Sequence, residues 1–209
     1  MTANPIDAIS VMPKNGKPNY LLLMLHGWGA NYQDLVPLAQ MLDLPSFGYL
    51  FPNAPYTHFQ VPGGRAWYAL ETNNYEGLVP SREMLFDWLM SLENATGVPL
   101  NRTIMAGFSQ GGAMTLDVGH NLPFAALCSL SGYLHFQPQP LENNDFPPVL
   151  IVHGTQDPVV PLEAAQKARD ELTKIGVSVQ YQEFNMGHEI QPPALKVLQQ
   201  FVTEIIREK

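Results

Sequence analysis

Apolar residues along the chain fall into two alternating patterns. Short runs at Tyr20–Leu25, Phe47–Phe51, Thr103–Ala106, Phe124–Leu130, Val149–Val152 and Val177–Phe184 have the length and side-chain content of strands. Between them apolar residues return every three or four positions. Met84, Leu85, Trp88, Leu89 and Leu92 form one such stripe, Ala165, Ala168, Leu172 and Ile175 a second, and Leu195, Leu198, Val202 and Ile205 a third. That spacing lays each set along one face of a helix. Gly176 ends the second helix, and a short helix is expected within Gln33–Leu42, with Asn31 and Asp34 placed as a cap and its partner. Strands alternating with helices predict an α/β fold, a mostly parallel sheet flanked by helices. No repeat or linker interrupts the pattern, so the 209 residues read as a single domain, 1–209. Residues 53–79 lack a clear period and hold Pro55, Pro62, Gly63, Gly64 and Gly77. A stretch of that length is either an ordered cover for a site or a loosely held excursion.

Composition narrows the partners. Eleven basic against nineteen acidic residues leave a net charge of −8, and no basic run occurs anywhere. Nucleic acid and anionic membranes, which are gripped by clustered Lys and Arg, are therefore not expected. No apolar run approaches the roughly 18 residues of a membrane helix, Met1–Pro13 lacks the pattern of a secretory signal, and Thr2 excludes N-myristoylation. A cytoplasmic location is the expectation, and the Asn-x-Thr triplets at Asn94 and Asn101 are then chance matches. The single cysteine, Cys128, lies within an apolar strand and reads as inert core. With no H-E-x-x-H motif and no Cys/His cluster, no metal is implied.

The chemistry concentrates at Gly107-Phe108-Ser109-Gln110-Gly111, directly after the strand Thr103–Ala106 and before a helix that continues through Gly112 to Val118. This is the strand-turn-helix setting of a nucleophile elbow, in which glycines two residues either side give a serine room on a sharp turn. The helix that begins there aims its amide groups at charge developing near Ser109. A serine hydroxyl needs a base to take its proton and an acid to orient that base. Of His26, His58, His120, His135, His153 and His188, the last fits best, because it follows the final strand and precedes the final helix, at the strand ends where a parallel sheet gathers its loops. His120 and His153 read as locally hydrogen-bonded residues, and His26 as a tie within its loop. The acid candidates after the serine are Asp117, Asp145, Asp157 and Asp170, together with the glutamates. Asp157 stands just past the strand Val149–Val152, and the order Ser109, Asp157, His188 is the order of α/β-hydrolases. A base must be neutral to accept a proton, so activity is expected to fall in acid. The tetrahedral intermediate then needs two backbone donors, assigned to the amides of Gln110 and of Trp28 in His26-Gly27-Trp28-Gly29. Trp67 and Leu70, in the 53–79 stretch, are expected to line a groove for substrate.

At this point the chain resembles the phospholipase/carboxylesterase family of α/β-hydrolases, which includes the acyl-protein thioesterases. The resemblance runs through Leu25–Gly29, Pro52–Pro55, Ala66–Tyr68, Gly107–Ala113, Leu130–Gly132, His153–Pro161 and Gly187–Ile190. It implies hydrolysis of carboxylic esters and thioesters without a cofactor, on a compact sheet with no large cap domain. It also implies a triad at Ser109, Asp157 and His188 with oxyanion donors at Trp28 and Gln110. Ala30 and Asn31 stand where the family often carries an acidic residue, and Val61–Gly64 differs from the eukaryotic protein thioesterases. Met186–Ile190 is closer to the bacterial carboxylesterases. A hydrophobic acyl substrate, small or attached to a larger carrier, is the expected partner. An apolar groove would serve an acyl chain or a homodimer contact equally, so oligomeric state stays open. A serine peptidase or lactone hydrolase on the same fold, and a non-catalytic small-ligand binder, are the rival readings.

Overall fold

The structure is a computed structural model that describes residues 5–14, 16–72, 74–140 and 146–207. Its central sheet has seven strands: β1 (Ala8–Val11), β2 (Tyr20–Leu25), β3 (Phe47–Pro52), β6 (Thr103–Phe108), β7 (Ala126–Leu130), β8 (Val149–Gly154) and β9 (Val179–Phe184). Their spatial order is β1-β3-β2-β6-β7-β8-β9, with β1 antiparallel to β3 and every other pairing parallel. The expected α/β sheet is present. The strand order reverses between β2 and β6, and at such a switch point the loops leaving the two strands part to open a crevice. The pairing of Leu25 with Gly107 sets His26 and Gly27 opposite Phe108 and Ser109.

The strand runs are apolar throughout because both faces of the sheet are covered. Leu21, Leu23, Leu25, Met105, Leu127 and Ile151 face a core shared with Leu85 and Leu89 of α3 (Leu78–Thr96), Met114 of α4 (Gln110–Gly119) and Leu172 of α5 (Leu162–Lys174). The alternate residues Leu22, Met24, Ile104, Ala106, Cys128 and Leu150 face Leu35 of α1 (Tyr32–Leu35), Leu42 of α2 (Leu38–Leu42), and Leu198 and Val202 of α6 (Pro192–Arg207). Cys128 is fully buried and burial pushes its thiol pKa up, which removes it from nucleophilic chemistry.

One local expectation changes, and two features are added to the sequence reading. The helix expected within Gln33–Leu42 is two helices, α1 and α2, parted where Pro37 supplies no amide hydrogen to continue the first. The Asn31–Asp34 capping box is present as expected. β1 was not foreseen: it is a four-residue edge strand of mixed exposure. Within residues 53–79, β4 (Tyr56–Thr57) and β5 (Arg65–Ala66) pair as a small antiparallel hairpin, so part of this stretch is ordered.

Candidate active site

β6 delivers Ser109 into the crevice on a backbone that ordinary residues avoid, with φ 55° and ψ −118°. The surroundings hold it there. The Ser109 amide donates to the Leu130 carbonyl at 2.8 Å, and the serine carbonyl accepts from the Ala113 amide at 3.0 Å. The flanking glycines are required by crowding: a Cβ on Gly107 would lie 2.1 Å from the Gly111 carbonyl oxygen, and one on Gly111 would lie 2.2 Å from the Leu25 carbonyl oxygen. The elbow is thus pressed against its own helix and against the end of β2. Strain of this sort persists only where packing enforces it.

Ser109 Oγ lies 2.9 Å from His188 Nε2, and His188 Nδ1 lies 2.7 Å from Asp157 Oδ2. A carboxylate only accepts, so Nδ1 carries the ring hydrogen and Nε2 presents a lone pair to the serine hydroxyl. Phe108 packs against the imidazole, ring centroids 4.8 Å apart. Asp157 Oδ1 accepts the amides of Val159 and Val160 at 2.8 and 2.9 Å. Burial alone would raise the Asp157 pKa, but the His188 hydrogen bond and the Val160 and Val159 amides outweigh it and hold the carboxyl below its ordinary value. Of the other acids weighed from sequence, Asp117 pairs with Arg82, and Asp170 is an exposed partner of Arg169. Asp145 lies outside the described residues. His120 meets the Asp117 carbonyl at 2.9 Å, a local bond.

The loop after β2 closes the other side, passing so near that a Cβ on Gly27 would lie 3.2 Å from the Ser109 Cβ. His26 organises it. The Ala54 amide donates to His26 Nε2 at 3.0 Å, so Nδ1 carries the hydrogen and donates to the Gly27 carbonyl at 2.8 Å. That carbonyl and the Trp28 N–H belong to one planar peptide unit, so fixing the oxygen fixes the direction of the amide. Burial drives the His26 pKa down to about 4, only partly opposed by the Gly27 bond, which keeps the ring neutral. The Trp28 amide has no backbone acceptor among the described residues, and the Gln110 amide opens α4, where first-turn amides lack acceptors within the helix.

Trp67, expected in a groove, has no exposed surface: its indole N–H donates to the His26 carbonyl at 3.0 Å. It braces the loop instead of lining an open groove. Its amide donates to the Gln110 side-chain oxygen at 2.9 Å, and the Gln110 side-chain nitrogen donates to the Tyr68 carbonyl at 2.8 Å. This bracing by the Gln110 side chain was missed from sequence, where only its amide was considered. No residue pattern marks it; it shows only in the structure, where Gln110 is fully buried. Leu70 is 40% exposed, and Phe59 and Val61 on the same stretch are 62% and 42% exposed. Phe59 stacks on His58, which stands edge-on to Trp28.

The switch-point crevice and its serine-centred hydrogen-bond chain define a hydrolase of the α/β class. Comparison with known proteins agrees: residues 6–206 match the model of the phospholipase/carboxylesterase family. The chain belongs to that family. It is 30% identical over 202 residues to acyl-protein thioesterase 1 of Neurospora crassa, covering 86% of this chain and 81% of that protein. Among solved structures it superposes on esterase PE8 with a TM-score of 0.87 at 28% identity, covering 96% of this chain and 99% of that one. Against Arabidopsis thaliana SOBER1 the TM-score is 0.74 at 25% identity, with 90% and 99% covered.

Proposed function

We propose that this hydrolase cleaves carboxylic esters and thioesters of hydrophobic acyl groups through an acyl-enzyme on Ser109. The observation that carries the proposal is the unbroken chain from Ser109 Oγ through His188 to Asp157 Oδ2, at 2.9 and 2.7 Å. His188 Nε2 takes the hydroxyl proton as Oγ bonds to the carbonyl carbon. The oxyanion is held by the amides of Trp28 and Gln110, each worth about 10²- to 10³-fold in rate at such positions. His188 returns the proton to the departing alcohol or thiol, then takes one from a water that attacks the acyl-enzyme and passes it to Ser109 Oγ as the Oγ–acyl bond breaks and the carboxylic acid leaves. Asp157 keeps the Nδ1 hydrogen in place and stabilises the imidazolium. The name of the Neurospora crassa relative supports the thioester and that of esterase PE8 the ester. The exposed Phe59, Val61 and Leu70 support an apolar acyl group. A single domain over 1–209 and a cytoplasmic setting, in which Cys128 stays a thiol, belong to the same proposal.

The test is a ladder of p-nitrophenyl esters beside acyl-thiocholines, peptide anilides and lactones, run on the native chain and on Ser109→Ala. The native chain is expected to prefer the esters and thioesters, and Ser109→Ala to lose about 10⁶-fold in kcat. Equal turnover by both proteins, or a preference for anilides or lactones, would overturn it.

A further inference from the structure

His153, the fifth residue of β8, is wholly buried, and the proposed mechanism gives it no part. Its Nε2 lies 2.9 Å from the Val160 carbonyl oxygen and 3.5 Å from Asp157 Oδ2. Both neighbours are acceptors, so Nε2 carries the ring hydrogen and a neutral ring leaves Nδ1 as a bare lone pair. That nitrogen is buried with no hydrogen-bond partner among the described residues. An orphaned acceptor in a core costs stability that an apolar side chain would not. What the imidazole provides must therefore come from Nε2. Glu183, the register partner of His153 on β9, is engaged elsewhere, by the Tyr181 hydroxyl at 2.8 Å and the Gln166 amide at 3.2 Å.

At Nε2 the ring meets the turn that carries Asp157. Val160 is held at both ends, its amide by Asp157 Oδ1 at 2.9 Å and its carbonyl by His153. The remaining oxygen, Oδ2, receives His188 Nδ1 at 2.7 Å and lies 3.5 Å from His153 Nε2. We propose that His153 is a positioning residue for Asp157: its Nε2 hydrogen goes to the Val160 carbonyl, fixing the turn whose Val160 amide holds Oδ1, while the same ring edge stands 3.5 Å from Oδ2. The carboxylate is thereby kept turned toward His188. His153 touches no substrate and acts only through Asp157, so the inference rests on the assignment of Asp157 as the triad acid.

The test compares His153→Met, which fills the space without a donor, with His153→Gln, whose side-chain amide extends to the place of Nε2. His153→Met is expected to lower kcat about 10- to 100-fold through misplacement of the acid, with KM unchanged. Its Tm is expected to stay within about 4 °C of the native value. His153→Gln is expected to recover most of the lost kcat. In an Asp157→Asn background His153→Met is expected to lower kcat no further, the non-additivity of residues acting through one another. Proton NMR is expected to show the downfield His188 Nδ1 hydrogen in the native protein and its upfield movement in His153→Met. Nitrogen-15 NMR of the native protein is expected to give His153 as the Nε2-protonated tautomer, a measurement independent of whether any variant folds. Full kcat in His153→Met, no recovery in His153→Gln, or the Nδ1-protonated tautomer would overturn the inference. If Asp157→Asn is itself fully active, the acid assignment falls; if it is inactive while His153→Met is fully active, only the role of His153 falls.

Discussion

On one wall of the crevice, Ser109, Asp157 and His188 follow the ends of β6, β8 and β9, where main-chain bonds tie their loops together. The Thr155 amide donates to the Phe184 carbonyl at 2.8 Å and the Gln156 amide to the Met186 carbonyl at 3.1 Å. On the other wall, the loop after β2 is steadied by the buried side chains of His26, Trp67 and Gln110. The difference separates chemistry from geometry. On the proposed mechanism, a side-chain change on the first wall removes a reacting or orienting group and leaves the frame. A change on the second leaves every reacting group in place and loosens the frame around it.

Asp157→Asn probes the first wall most severely. The amide oxygen still accepts from Val159 and Val160, but the His188 tautomer is no longer enforced, and kcat is expected to fall about 10⁴-fold. Differential scanning calorimetry is expected to find an unchanged fold, and a kcat loss under about tenfold would erase the contrast between the walls. Gln110→Met is the matching change on the second wall. It keeps the Gln110 amide but leaves the Trp67 amide and Tyr68 carbonyl unpaired in the core. Stability is expected to drop by about 2–4 kcal/mol and Tm by about 5–15 °C. The fall in kcat, about 10- to 100-fold, is expected to be smaller than that of Asp157→Asn. Thermal melts with steady-state kinetics below the transition check both.

Acid adds a stability test. His26 and His135 are both held neutral by burial, each with its pKa lowered to about 4. The unfolded chain takes up these protons near the ordinary histidine value of about 6.5, whereas the folded chain refuses them until about 4. Stability from these two rings is therefore complete above about pH 6.5 and is lost as pH falls toward 4, by up to about 3 kcal/mol for each. Urea midpoints measured between pH 7 and 4.5 are expected to decline, and a flat series would contradict the neutral tautomer of His26. The mildest change lies on the rim. Phe59→Ser is expected to lower kcat/KM for long acyl esters about 3- to 10-fold and leave short esters alone, as loss of partial apolar contact predicts. An equal effect on all chain lengths would move the acyl group away from Phe59.

Much of the first wall was legible in the sequence because local patterns mark each of its members, although their contacts span 79 and 31 residues. Continuous apolar runs mark strands covered on both faces, and Gly107 and Gly111 mark a turn with no room for side chains. The order of Ser109, Asp157 and His188 follows from strand ends sharing one edge. The second wall was less legible because no local motif marks the side chains that make its contacts. Trp67, in a stretch rich in glycine and proline, reads as a surface aromatic until its bond to His26 is seen. The Gln110 side chain reaches a segment 42 and 43 residues away, a distance no periodicity reports. β1 escaped because a short edge strand, half covered, carries little apolar signal. Pro37 was within the stretch expected as one helix, and its missing amide was the available clue.

The pairing of β2 with β6 carries a consequence for the time course of folding. Leu25 meets Gly107 only after the intervening 81 residues have found their place, so the sheet's central contact is also one of long sequence separation. Contacts of that kind are slow to close, because chain entropy is lost before the pairing returns any stability. The amide that would receive the oxyanion and the serine that would create it lie on the two sides of this long-range contact. A nascent or partly folded chain can expose the Ser109 hydroxyl, but it lacks the opposing Trp28 amide until the centre of the sheet has zipped. On the proposed mechanism, reactivity toward an acyl group therefore requires the β2–β6 pairing to be in place.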